Sequence, residues 1–203
     1  MTVPSDIEED DVEDAIQHVL GDAVVGVLTP EEHQTLKSIL NGQELQRIKN
    51  HEHRYLVVGA GDDSDENEEP SPAAKRRELV YDRLDRRETP PSVAMQLEDF
   101  GIESEQMALW WGVFDILCGR ASHIVAVIED FDGGYTWELG MLASPAYLAK
   151  TWVLKRQYSD DETEREKYDN GMAASHLAFL LRTEHGQTWR DERELKRKTD
   201  NIP

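Results

Sequence analysis

The chain has one cysteine, Cys118, which excludes an intramolecular disulfide framework and leaves a buried apolar thiol as the expected state. No apolar run approaches the roughly 18 residues that a membrane-spanning helix requires. The N-terminal "MTVPSDIEEDDVED" also lacks the basic-then-apolar pattern of a secretory signal. A soluble, cytoplasmic protein with no membrane partner is therefore expected. Positive charge is scarce as well, with 22 Lys and Arg against 42 Asp and Glu among 203 residues, a net charge of −20. With no basic stripe anywhere, a nucleic-acid backbone is excluded as a partner. The acids are spread along the whole chain, as on a surface that stays hydrated in concentrated salt, where charges are screened over about 3 Å at 1 M. A halophilic host is expected. The one short basic cluster, "KRRELVYDRLDRRE", is interrupted by acids at helical spacing and reads as a solvated helix face.

Hydrophobic residues make up 38% of the chain, enough for one domain of ordinary size with an appendage. Residues 5–50 read as helices. In "TPEEHQTLKSIL", Thr29 can cap, Pro30 suits the first helical position and Glu32 completes a capping box, while Asn41 and Gly42 end the segment. We treat residues 1–50 as a helical appendage and a candidate contact surface for a protein partner, and residues 51–203 as an α/β domain. From Arg54 the pattern changes. "RYLVVGAG" is a short β-branched run ending in glycines, "HIVAVIED" a second clear strand and "TWVLKRQ" a third. "SVAMQLEDF" is also read as a strand. Helices are expected over 73–87, through "SEQMALWWGVFDILCGRA", where Met107, Trp110, Phe114 and Leu117 share a face, and through "GYTWELGMLASPAYLA", interrupted by Pro145. The C-terminal tail reads as a polar stretch followed by helix. Strands alternating with helices imply a parallel sheet covered on both faces. The expected fold class is thus α/β, a Rossmann-like or flavodoxin-like three-layer parallel sheet with a small N-terminal helical segment.

Ligands of open α/β sheets bind beyond the carboxyl ends of the strands. Two loops of that kind stand out, "GAGDD" after Arg54–Val58 and "EDFDGGYTWE" after His123–Ile128. Glycines let a ligand approach the backbone, and helix-start N–H groups favour oxygen-rich ligands. The first loop has neither the third glycine of a dinucleotide fingerprint nor the lysine of a P-loop. His51 and His53 form an H-x-H pair, but further metal ligands are not in evidence, and a solvated pair is expected.

The second loop carries a family resemblance. "DGGYTWELG", with Asp132, Gly134, Glu138 and Gly140, resembles the signature of the nucleoside 2-deoxyribosyltransferase family. The glycine-ended first strand "YLVVGAG", with Gly59 and Gly61, is similar to that family's opening strand, and Asp115, eight residues before His123, matches a further family acid. Asn170 in "YDNGM" loosely matches a family asparagine that meets the sugar.

The resemblance implies a carboxylate that displaces a base from the anomeric carbon through an oxocarbenium-like transition state, forming a glycosyl-enzyme that passes to another base or to water. Glu138 is the implied nucleophile, its ionised form favoured by the start of a helix. Asp132 and Asp115 are implied to hydrogen-bond or protonate the leaving base. Gly133 and Gly134 would leave room for the sugar, and Tyr135 and Trp137 would wall the pocket. The expected ligand is a nucleoside or nucleotide and the expected assembly a homo-oligomer. No cofactor or metal is called for by such chemistry. The alternative is a non-catalytic nucleotide-sensing or protein-interaction module on the same fold.

Overall fold

The computed structural model describes residues 28–61, 69–102, 106–131, 135–169 and 171–203. The chain forms two compact units, Met1–Lys49 with Leu97–Arg120, and Asn50–Gln96 with Ala121–Pro203. In the first, α1 (Pro30–Asn41) packs on α2 (Gln43–Lys49) and on α4 (Met107–Arg120). The expected capping box is present: Thr29 Oγ1 accepts from Glu32 N–H at 3.2 Å, and Glu32 Oε2 accepts from Thr29 N–H at 2.7 Å. Leu36, Leu45, Ile48, Leu109, Val113, Phe114 and Leu117 are buried in this unit, as is Cys118. Of the face expected on α4, Met107 is exposed instead, since it opens the helix and has no preceding turn to lean on.

The second unit is built on a five-stranded sheet, all parallel, in the order β2-β1-β3-β4-β5. The strands are β1 (His53–Gly59), β2 (Ser92–Met95), β3 (His123–Ile128), β4 (Thr151–Arg156) and β5 (Gly186–Trp189). Successive parallel strands need crossovers, and helices supply them. One is α3 (Pro72–Asp85), capped by Ser71, whose Oγ accepts from Ala74 N–H at 3.1 Å. The others are α5 (Tyr135–Leu142) with α6 (Pro145–Leu148), and α7 (Asp161–Lys167) with α8 (Gly171–Leu180); α9 (Glu192–Asp200) follows β5. Alternation along the strands sends Tyr55, Val57, Ala94, Val125, Val127, Leu154 and Trp189 into one core with Val80 and Leu84 of α3, Leu195 of α9 and Ile202. Leu56, Val58, Ile124, Ala126 and Val153, at the alternate positions, are buried too. α5 lies against β1 and packs on α8, with Leu139, Leu142, Leu177 and Leu180 buried. Near-continuous burial of β1 and β3 is what a sheet covered on both faces demands. The fold is the expected three-layer α/β arrangement of flavodoxin-like strand order.

Two local expectations are corrected. The second strand ends at Met95, paired over four residues with His53 to Leu56 of β1, and Leu97–Phe100 forms a 3₁₀ turn. The tail contains α7, α8 and an edge strand, β5, as well as the terminal helix. β5 reads "GQTW"; Trp189 alone is buried, so it has no apolar run to announce it. Among the described residues, no helix is long and apolar enough to cross a membrane.

Candidate functional site

The chain runs from β1 outward to β2 and returns to the other side of β1 as β3, so the strand order reverses between β1 and β3. At such a reversal the loops leaving the two carboxyl ends diverge and open a crevice. Gly59 closes β1 with φ +147°, and a Cβ there would lie 2.5 Å from Val127 O of β3. Only glycine fits. The glycine-ended strand noted in the sequence thus has a steric cause in the sheet. Gly61, two residues on, is half-buried outside regular structure.

Glu138 lies in the first turn of α5, the helix that follows β3, and is half-buried with Oε2 shielded from solvent. The helix start favours its carboxylate form. Tyr135 opens the same helix. Trp137, expected as a pocket wall, is 70% exposed. Gly140 packs beneath the His176 ring of α8, where an added Cβ would sit at 3.8 Å, an ordinary contact, so the close of the "ELG" signature is not sterically required here. Asp115 is half-buried in the middle of α4, in the first unit. Asp132, Gly133, Gly134 and Asn170 lie outside the described residues, as does the side chain of Tyr135.

Beside this crevice the carboxyl edge holds a cluster that the sequence did not announce. Glu129, one residue past β3, is 4% exposed. Arg76 of α3 grips it bidentately, Nε donating to Oε1 at 2.6 Å and Nη2 to Oε2, and Arg156 at the end of β4 donates from Nη1 to Oε2 at 2.7 Å. The Glu129 carboxylate holds the Arg76 guanidinium further above its already high range. Aromatic faces fix both arginines. Arg156 lies 4.7 Å from the Tyr158 ring and 5.6 Å from that of Trp189, and Arg76 5.9 Å from Trp189. Tyr158 donates to Glu129 O at 2.8 Å, Tyr168 to Arg156 O at 2.9 Å and the Trp189 indole to Leu154 O at 2.9 Å. Burial pushes both tyrosine hydroxyls above their ordinary range. Around this core, Lys155 pairs with Glu164 beneath the Tyr168 ring, and Lys167 with Asp130 at 3.5 Å.

A family model described as DUF8170, a family of unknown function, matches residues 1–202. The chain belongs to the DUF8170 family. No curated protein and no solved structure matches it. For this DUF8170 chain the site is therefore read from its own geometry. A glycine-closed strand at a strand-order reversal, a carboxylate at a helix start and a rigid arginine pair can together bind a polar, oxygen-rich ligand and present one nucleophile to it.

Two sequence readings of the DUF8170 chain change with the structure. "KRRELVYDRLDRRE" is not simply a solvated face: Arg76 is 15% exposed, Arg77 is buried, and Arg83 pairs with Asp200 of α9 at 2.6 Å. His51 and His53 are half-buried rather than solvated. His53 lies parallel to His123, ring centroids 6.3 Å apart, at the amino end of the strands. Among the described residues no group of three or more His, Cys, Asp or Glu is placed to hold a metal. A signal for Glu129 did exist, an acid following an uninterrupted apolar strand in "HIVAVIED", but its partners lie 53 and 27 residues away along the chain.

Proposed function

We propose that this protein cleaves the N-glycosidic bond of a nucleoside or nucleotide, with Glu138 as the nucleophile, and passes the sugar to another base or to water. The observation that carries this reading is the position of Glu138. It is a half-buried carboxylate in the first turn of the helix after β3, one of the two strands that flank the strand-order reversal. The resemblance of "DGGYTWELG" to the nucleoside 2-deoxyribosyltransferase signature supports the same residue.

The reaction balances in two steps. A Glu138 oxygen bonds to C1′ as the C1′–N bond breaks and the base departs with the electron pair and takes up a proton; Asp132 and Asp115 are the acids that the resemblance implies for hydrogen-bonding or protonating it. A second base or a water then attacks C1′, gives up a proton, and releases the carboxylate. Partial positive charge at the start of α5 favours the carboxylate that the first step uses.

The test is chromatographic detection of released base from a panel of deoxynucleosides and their 5′-monophosphates, at molar salt. Wild type should turn over at least one. Glu138→Gln should lose about 10³-fold or more of that rate while keeping its fold by circular dichroism. Undiminished activity in the variant removes the catalytic assignment. Ligand-dependent thermal stabilisation of wild type with no released base would favour the binding-module alternative.

A further inference from the structure

We propose that Arg76 and Arg156 form a phosphate subsite at the carboxyl edge of the sheet, so that the ligand is a phosphorylated nucleoside. This rests on the reading that the ligand occupies the crevice there. The charge balance of the edge is the first support. Lys155 and Lys167 each have an acid of their own, Glu164 and Asp130, whereas the two arginines share the single carboxylate of Glu129. Glu192 of α9 also acts on Arg76 through space, but it is an exposed side chain screened by solvent and salt. Among the ion pairs of the described residues at this edge, four cations therefore meet three carboxylates, in a chain whose net charge is −20.

The second support is the set of donors not spent on Glu129. Arg76 uses Nε and Nη2 on Glu129, and Arg156 uses Nη1. Arg76 Nη1 and Arg156 Nε and Nη2 donate to nothing among the described residues. The side chains of Arg76 and Arg156 are 15% and 28% exposed, so both reach solvent in part. Glu129 below and the rings of Trp189 and Tyr158 beside them hold these planes without help from a ligand. A preformed guanidinium fork matches phosphate oxygens and loses little side-chain entropy on binding. Position is the third support: Arg76 lies in the early turns of the helix after β1 and Arg156 at the end of β4, so both stand at the edge where ligands of this fold class sit.

Wild type and Arg156→Gln are titrated calorimetrically with inorganic phosphate at constant ionic strength, and with deoxynucleosides and their 5′-monophosphates. The substitution leaves Glu129 gripped by Arg76. Saturable phosphate binding is expected in wild type, weakened about tenfold or more in the variant, and monophosphates should bind about tenfold tighter than nucleosides in wild type only. Arg156→Lys, which keeps the charge and loses the fork, should fall between the two and decides the matter if the glutamine variant does not fold. No saturable phosphate binding by wild type, or binding unchanged in both variants, overturns the subsite. Base release without preference for the monophosphate also overturns it and leaves Glu138 standing. Phosphate binding without base release leaves the subsite standing and removes the catalytic reading.

Discussion

The two ends of one sheet use arginine in opposite ways. At the carboxyl edge two guanidiniums converge on one buried carboxylate, Glu129, and keep donors to spare. At the amino edge Arg87 spends its donors on neutral oxygens. Its Nη1 reaches Ile202 O at 2.7 Å and the Tyr55 hydroxyl at 3.1 Å, and its Nη2 reaches Thr199 O at 2.5 Å, while Tyr55 donates to Pro203 O. Those contacts fasten the segment after α9 onto β1. The amino edge is thus a closure, whose hydrogen bonds are made within the chain. The carboxyl edge is a rigid charged frame left partly open beside the crevice that holds Glu138 in our reading.

Charge reaches the imidazoles of the amino edge too. His123 of β3 stacks on Tyr55, with centroids 5.5 Å apart, and on His53. Burial, followed by the neighbouring His53, His185, Arg87 and Lys150, lowers its pKa to about 4. Burial and these like charges all disfavour a proton on His123, against which stands the Ser122 hydroxyl 3.0 Å from its Nδ1.

Removing charge at the two edges should therefore differ in size. Glu129→Ala leaves two partly buried guanidiniums without their counter-ion and should destabilise the fold by about 3–5 kcal/mol in urea unfolding. Arg87→Ala removes donors whose acceptors are neutral oxygens of the buried residues Tyr55, Thr199 and Ile202, and should cost about 2 kcal/mol, with amide exchange faster in residues 199–203. If Arg87→Ala costs as much as Glu129→Ala, the distinction between frame and closure fails. A smaller effect belongs to pH. The unfolded chain protonates histidine near 6.5 and the folded chain protonates His123 near 4, so between these values the unfolded state binds more protons. His123 then contributes stability that is complete above about pH 6.5 and is lost as pH falls toward 4. His123→Phe should lose less stability than wild type across that interval; equal losses would mean that carboxylates alone govern acid unfolding.

What the sequence disclosed was local, and what it concealed was pairing. The capping box at Thr29, the apolar runs of β1 and β3 and the glycine-ended first strand each depend on neighbours a few residues away, and each is present. β5 was missed because an edge strand that buries one tryptophan needs no apolar run. Arg76, Glu129 and Arg156 were missed for a different reason. A charged residue on a helix face or at a strand end looks the same in sequence whether water or a buried counter-ion satisfies it, and only the sheet brings positions 76, 129 and 156 together. Glu138 was legible as a residue, from its place after an apolar strand and two glycines; its role was not.

That role is tested most directly by trapping. A 2′-fluoro-substituted deoxynucleoside slows both steps by destabilising the oxocarbenium-like transition state, and an activated leaving group restores the first, so a glycosyl-enzyme accumulates. Intact-mass spectrometry of wild type should show one added fluorosugar, peptide mapping should place it on Glu138, and Glu138→Gln should show none. No adduct on wild type from substrates that it turns over, or an adduct that maps to another residue, would contradict the account.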